Sequence, residues 1–357
     1  MKSRFVRRAA RPLAAMFCLL AVSVATRAAD DPVPWWAYGY FGPPAAGERA
    51  SMPVPAPTGV IPEESEEEQT RLRQVEGSAR RYSLVEIRNR LDAVDWFPED
   101  HPAMPDIVKS GSQGMGENRW GCARCHMPNG KGRPENAPVS GQSAEYFVRQ
   151  LQDMRNGLRV SSDPRKANAL LMVALAKAMT DAEMRETAAY YTGLPATPWV
   201  TVVETERVPQ VKPTSARLFL PVPDAPWEPI GQRILEVPLN PGEFELANSR
   251  SGLLAYVPVG SVRRGERLVT TGGMTRVGGK DIPGKTIACS SCHGPDLKGM
   301  GDAPAIAGRS PSYLVRQMYD IKTGARRSAL ALTMRPAVRD LVNEDFVDIA
   351  AYLGSRK

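Results

Sequence analysis

The chain repeats itself. Shifting the 357-residue sequence by 167 positions lays Cys122, Cys125 and His126 over Cys289, Cys292 and His293. The match runs on beyond the cysteines: residues 141–159 overlie residues 308–326 with nine of nineteen positions identical, among them Ser143 and Ser310, Tyr146 and Tyr313, Gln150 and Gln317, and Arg159 and Arg326. Farther along, Ala188-Ala189-Tyr190 meets Ala350-Ala351-Tyr352 at an offset of 162, so the first copy carries a loop five residues longer. A duplication on this scale confines the fold to one frame built twice.

Each copy has the marks of an all-α unit. After the shared serine, Tyr146, Phe147, Leu151 and Met154 in one copy, and Tyr313, Leu314, Met318 and Ile321 in the other, recur at helical spacing and stop at Gly157 or Gly324. A closing helix is expected from Thr180-Asp181 and from Asn343-Glu344, where a capping side chain and early acidic residues suit the positive end of the helix dipole. These patterns predict a mainly α protein with one small all-α domain over residues 105–195 and a second over 260–357.

Between the copies, residues 196–259 are rich in proline and short Val runs, which predicts an extended connector with a few edge strands. Residues 29–104 form a Pro-rich arm with Trp35, Trp36, Tyr38, Tyr40 and Phe41. That cluster is too apolar for a free tail, so the arm is expected to lie across a domain or an interface, while its acidic run around Glu64 and Glu66 reads as a solvated face.

The amino terminus has five basic residues, an apolar run over 13–25, and Thr26-Arg27-Ala28 before Ala29. This reads as a signal peptide spanning residues 1–28, and hence as export to the periplasm. Its apolar run of thirteen residues is short against the roughly 20 needed to span a bilayer. Residues 1–28 hold six of the 46 Lys and Arg and none of the 39 Asp and Glu, so the formal charge of +7 falls to +1 in the mature chain. Nucleic acid thereby loses its electrostatic case.

Four cysteines remain outside that segment, in Cys122-Ala-Arg-Cys125-His126 and Cys289-Ser-Ser-Cys292-His293. In an exported chain they suggest disulfides first, and a Cys-x-x-Cys pair alone leaves a redox dithiol or half a zinc site open. The histidine attached to both pairs decides otherwise. Cys-x-x-Cys-His is the spacing for covalent haem attachment, in which two thiols on one helical turn reach the vinyl groups and the imidazole reaches iron. Two covalently bound haem c groups are therefore expected.

A sixth iron ligand of methionine sulfur suits a high potential. After the first motif stand Met127, Met154, Met172, Met179 and Met184, whose counterparts are Gly294, Ile321, Met334, Leu341 and Phe346. Only Met172 and Met334 match, each eight residues before the start of its closing helix. The other methionines suit core packing. His101 is expected in a solvent-facing loop. A carbonyl near Pro138 and Pro304 is expected to accept the histidine's free N–H, and Arg149, Arg159, Arg316 and Arg326 are candidates to neutralise propionates or to stand as surface charges.

On these residues the chain resembles the tandem dihaem class I cytochromes c of bacterial periplasms, over about residues 105–195 and 260–357. The marks are the two Cys-x-x-Cys-His motifs, the Gly-Gln/Arg-Ser-x-x-Tyr-x-x-x-Gln helices and the methionine ahead of Ala-Ala-Tyr. The resemblance implies two facing haem domains that pass single electrons between a redox-protein donor and acceptor, with a membrane-bound dehydrogenase or oxidase as a candidate partner and peripheral membrane association as a consequence. The arm and the connector exceed the family's usual length, and Met127 replaces the glycine that follows the histidine in the second copy. Alternative readings are a cytochrome subunit of a membrane complex, or a dihaem peroxidase-like enzyme with one haem open or bound by His101.

Overall fold

The computed structural model describes residues 32–51, 64–214 and 216–357. The signal segment of residues 1–28 lies outside them. The arm opens on a single 3-10 turn, Trp35–Tyr38, followed by two short helices, α1 (Glu66–Thr70) and α2 (Leu84–Arg88). The first copy then runs through α3 (Asp106–Ser110), α4 (Cys122–His126), α5 (Ala144–Arg155), α6 (Ala167–Ala178) and α7 (Asp181–Thr192). The second copy, entered after α8 (Pro241–Glu245), repeats this as α9 (Ser261–Thr271), α10 (Ser290–His293), α11 (Pro311–Thr323), α12 (Ala329–Val338) and α13 (Asn343–Ser355).

The helix starts follow local chemistry. Ser143 and Ser310 cap α5 and α11 by accepting from the backbone N–H three residues on. Thr180 and Glu183 form a reciprocal capping box ahead of α7, whereas valine stands at the same place in the second copy, and there the Asp345 carboxylate alone accepts from the Val342 N–H at 2.8 Å. Helices α6 and α12, which hold Met172 and Met334, were not expected from periodicity. The run of alanine and leucine in α6 carries high helix propensity but no polar face for a 3.6-residue pattern to show, and Pro336 inside α12 reads as a helix breaker. In the second copy α9 crosses α13 at Gly265, where a Cβ would sit 1.9 Å from the Asp348 carbonyl oxygen, and Arg264 clamps the crossing with a 2.7 Å ion pair to Asp348.

The connector is a folded element. Residues 196–259 form strands β1 (Val200–Glu204), β2 (Arg207–Val208), β3 (Val211–Pro213), β4 (Phe219–Pro221), β5 (Glu228–Pro229), β6 (Leu235–Pro238) and β7 (Leu253–Val257). A three-stranded sheet has the order β1-β7-β6, with β1 parallel and β6 antiparallel to β7, and the other four strands pair as small ribbons. Prolines end four of the strands, where no ladder N–H is needed, so they shape the sheet instead of preventing it. The segment buries Trp199, Phe219, Leu235, Phe244 and Ala255, a core that an extended spacer would not have. Glu236 on β6 fastens it to the second copy by accepting from the Ser310 hydroxyl at 2.9 Å and the Ser312 N–H at 3.0 Å. A last hairpin, β8 (Thr275–Val277) with β9 (Lys280–Ile282), stands exposed ahead of the second motif.

The two copies face each other with a repeat symmetry visible bond by bond. Arg159 donates to Gln150 and Gln317, each at 3.0 Å, and Arg326 donates to Gln317 at 3.0 Å and Gln150 at 2.7 Å. The Val160 N–H reaches the Ala325 carbonyl and the Arg327 N–H reaches the Leu158 carbonyl, both at 2.9 Å, and these too are mates under the 167-residue shift. The aromatic arm is wedged at this junction. Tyr38, buried, donates its hydroxyl to Asp320 at 2.6 Å, and Arg316 holds the carbonyls of Ala37 at 2.6 Å and Pro134 at 2.9 Å. Ala37, Tyr38 and Tyr40 belong to the core of the second copy.

Candidate functional site

The first motif occupies a single helical turn. Gly121 stands at the N-cap of α4, and Met127 ends it with φ of 64°, a left-handed backbone that a non-glycine residue pays for. The Met127 side chain is buried against Val75, Ile87, Trp96 and Phe97, and this packing offsets the backbone cost. In the second copy Gly294 takes the same turn with φ of 82° without a side chain to bury.

In each copy the histidine is fixed by a carbonyl. His126 Nδ1 lies 2.8 Å from the Ala137 oxygen, and His293 Nδ1 lies 2.7 Å from the Pro304 oxygen. The acceptor in the first copy is therefore Ala137, one residue before the Pro138 expected, and it is the position that the 167-residue shift from Pro304 specifies. A carbonyl only accepts, so Nδ1 carries the proton and Nε2 is left with its lone pair free to bind a metal. Burial holds both imidazoles below the usual histidine pKa, which keeps them neutral and ready to ligate.

The four cysteines are free thiols. Burial pushes Cys122 up to about 12 and Cys289 up to about 11, and raises Cys125 as well. Such thiols are poor nucleophiles, unlike those of a redox dithiol, whose pKa is depressed. Among the described residues no three His, Cys, Asp or Glu side chains are grouped as a zinc site needs.

A cavity of about 610 Å³ opens beside α4. Cys122, Cys125 and His126 line one wall, and Leu171 and Met172 on α6 line another, with Phe147 between. The cavity lies in the range of cofactor sites, and its lining is mostly apolar. Met154 and Met179 also reach it, while Met184 is fully buried and Met127 packs away from it. Geometry alone thus leaves three sulfurs, and only Met172 has a methionine counterpart. In the second copy Cys289 and Met334 pack against the same hydrophobic cluster, and His293 is buried.

The polar end of the first cavity is cationic, and Arg133 and Lys166 there were not anticipated. Both are buried, Lys166 is driven down to about 7 by burial, and the Nε and Nη2 of Arg133 have no hydrogen-bond partner among the described residues. Arg133 Nη1 lies 3.9 Å from the buried Glu135, and the two remaining buried donors ask for a further acceptor. Thiols on one turn, a neutral imidazole with a free Nε2, a thioether opposite, an apolar body and a cationic end together fit a haem with its two propionates. Of the arginines proposed for that duty, Arg316 and Arg159, the latter also a member of the interface square, line the cavity, whereas Arg149, paired with Asp302 at 2.8 Å, and Arg326, the other arginine of the square, do not.

His101 is not a solvent-facing loop residue. Its side chain is 2% exposed, with Nε2 at 3.2 Å from Asp95 and Nδ1 at 2.9 Å from the Pro102 carbonyl. Burial works to lower its pKa, but the bonds to Asp95 and Pro102 outweigh this and raise it. With both nitrogens engaged and no part in the cavity wall, it does not serve as an iron ligand in this arrangement.

A family model described as Cytochrome c matches residues 108–194 and 277–357. Cytochrome c4 of Pseudomonas aeruginosa is 40% identical over 78 residues, which cover 20% of this chain and 35% of that protein. Cytochrome c-554(548) of Halomonas halodenitrificans is 36% identical over 74 residues, covering 20% of this chain and 89% of that protein. The crystal structure of reduced cytochrome c4 from Pseudomonas stutzeri superposes with a TM-score of 0.41 at 18% identity, over 66% of this chain and 93% of that one. The chain spans between 35% and 39% of the length of the cytochrome c4 sequences first matched.

Proposed function

The chain belongs to the cytochrome c family, and from that premise we propose that it is a dihaem electron carrier of the periplasm. It carries two covalently bound haem c groups. We assign the thioether bonds to Cys122 and Cys125 in one copy and to Cys289 and Cys292 in the other. His126 with Met172, and His293 with Met334, would hold the iron of each group.

One observation carries this reading. The duplication preserves, out of all the methionines that follow the first motif, only the one that faces the cavity from α6, together with a histidine whose Nδ1 is tied to a carbonyl at 2.8 Å or 2.7 Å. When bound, the group supplies an iron that cycles between ferric and ferrous states. The residues do the rest. The Ala137 and Pro304 carbonyls orient the imidazoles, the thioethers of Met172 and Met334 would supply the second protein ligand to each iron, and the apolar lining of the first cavity disfavours water there. Arg133 and Lys166, with Arg159 and Arg316, offset the propionate charge of the first haem. The square of Gln150, Arg159, Gln317 and Arg326 holds the copies rigidly together, which keeps the distance between the two sites constant.

Redox proteins are the expected donor and acceptor, with a dehydrogenase or an oxidase at the membrane as the class of partner. Among the described residues no helix is long and apolar enough to cross a membrane. The test is to substitute Met172→Ala and Met334→Ala separately in the holoprotein. Each variant should lose the methionine–iron absorption of one haem and bind an added ligand such as cyanide at that haem only. A wild-type protein in which one haem is already high-spin and binds cyanide would establish the enzyme reading instead.

A further inference from the structure

Lys166, at the N-cap of α6, is a buried cation with little to hold it. It lines both the large cavity and a second, small one of about 20 Å³, enough for a single water. An ammonium has three donors to place. Among the described residues Lys166 Nζ makes one long hydrogen bond, to the Tyr38 carbonyl at 3.5 Å, and no ion pair. The charged groups that face it are engaged elsewhere. Asp163 is bound by Arg165 at 2.8 Å, Asp320 accepts from the Tyr38 hydroxyl at 2.6 Å, and Glu236 accepts from Ser310 and Ser312. On the cationic side Arg316 holds the Ala37 and Pro134 carbonyls, and the Arg217 guanidinium lies 4.4 Å from the Tyr40 ring centroid. Glu135 is the exception. Buried, and on the wall of both cavities with Lys166, it leaves Oε2 without a partner among the described residues and has Arg133 Nη1 at 3.9 Å from Oε1.

The second copy has neither group in this form. Ser328 stands at the N-cap of α12 where Lys166 stands on α6, and Asp302, the mate of Glu135, has its side chain 58% exposed and paired with Arg149. Burial first, then Arg316, drives Lys166 down to about 7, while Glu135 and Asp163 pull the other way. Propionates at this end of the cavity act in the same sense as Glu135. The protonation of Lys166 is thus set by the balance of charge inside the cavity, where water screens little.

We propose that Lys166, with Glu135 on the same cavity wall, is a proton-binding site coupled to the first haem: it gains a proton when the iron there gains an electron, releases it when the electron leaves, and has no equivalent at the second haem. The inference rests on the reading that each copy holds a haem c. The balance is one electron from a redox donor to ferric iron and one proton from solvent to the neutral Nζ, with no bond to the haem made or broken. Reduction removes one positive charge from the cavity, so the amine holds its proton more tightly. By linkage, the potential of the first haem falls as pH rises between the amine's pKa in the oxidised protein and its higher pKa in the reduced one.

The test is an optical redox titration of the holoprotein between about pH 6 and 10 at constant ionic strength. The first haem is identified by Cys122→Ala, which leaves it one thioether bond and shifts its absorption. Across the range its potential should fall by at least about 59 mV more than that of the second haem, the equivalent of tenfold tighter proton binding in the reduced state. Lys166→Met should abolish this difference. Glu135→Gln, which removes the carboxylate that favours the charged amine, should keep the fall but move it to lower pH, and this shift is read without relying on a stable Lys166 variant. Equal slopes at the two haems of the wild type, a difference that survives Lys166→Met, or a Glu135→Gln transition that stays in place would each overturn the proposal. The absorption spectra of the same samples report haem attachment and ligation separately, so a failure of that reading would not be mistaken for a potential that ignores pH.

Discussion

Replacing Gln150 by leucine removes the acceptor of two hydrogen bonds that cross or brace the junction of the two copies, from Arg159 at 3.0 Å and from Arg326 at 2.7 Å. A hydrogen bond to a charged group contributes about 1.5–3 kcal/mol. Arg159 is half-buried, so water takes up part of its loss, while Arg326 is buried and has no such recourse. The expected cost is about 2–4 kcal/mol, because each guanidinium still has Gln317. Removing both glutamines strips both guanidiniums of these acceptors at once, so Gln150→Leu/Gln317→Leu should cost about 1–2 kcal/mol more than the two single changes summed. Urea unfolding of the holoprotein, followed by far-ultraviolet circular dichroism on the wild type, both single variants and the double, measures each quantity. Gln152→Leu on the same helix serves as the neutral control. A double variant whose loss only equals the sum would refute the claim that the four side chains form one network.

Three further perturbations have defined outcomes. Gly265→Val should destabilise the second copy by about 3 kcal/mol or more, since even a Cβ would fall 1.9 Å from the Asp348 oxygen and α9 must move off α13; thermal unfolding of the second copy should shift while the first haem's spectrum does not. Tyr38→Phe should cost about 1–3 kcal/mol by taking the hydroxyl from the buried Asp320, read as faster proteolysis of the arm. Lys131 is buried and driven down to about 7 by that burial and by Arg133. In the unfolded chain its pKa is near 10.4, so between these values the unfolded state binds more protons and stability rises with pH, reaching its full value above the unfolded pKa. Lys131→Met should flatten that slope between pH 7 and 10, and an unchanged slope would assign it to another group.

The site was legible where its chemistry is local. Cys, Cys and His on one turn, the N-cap serines and the Thr180–Glu183 box lie within four residues of their partners, and a single sequence displays them. Even the carbonyl that orients His126 was encoded, as the 167-residue shift from Pro304 falls on Ala137. Helix α6 escaped because its apolar run has no alternation to detect, and α12 because Pro336 stands inside it. The connector escaped because ten prolines suggest a spacer, and only the pairing of Val200 with Leu253 shows that their placement at strand ends permits a sheet. His101 escaped because its partner, Asp95, is an ordinary acidic residue in sequence.

By itself the sequence determined that one haem-binding frame is built twice, since covalent spacing, helical period and capping act over a few residues and survive duplication. Tertiary structure alone decided that the two copies are unequal. Tyr38 meets Asp320, and Asn129 meets Ser249, across 282 and 120 residues of chain. Contacts at such separations depend on how whole segments bury their apolar faces, and no local pattern records which of two similar surfaces will be covered.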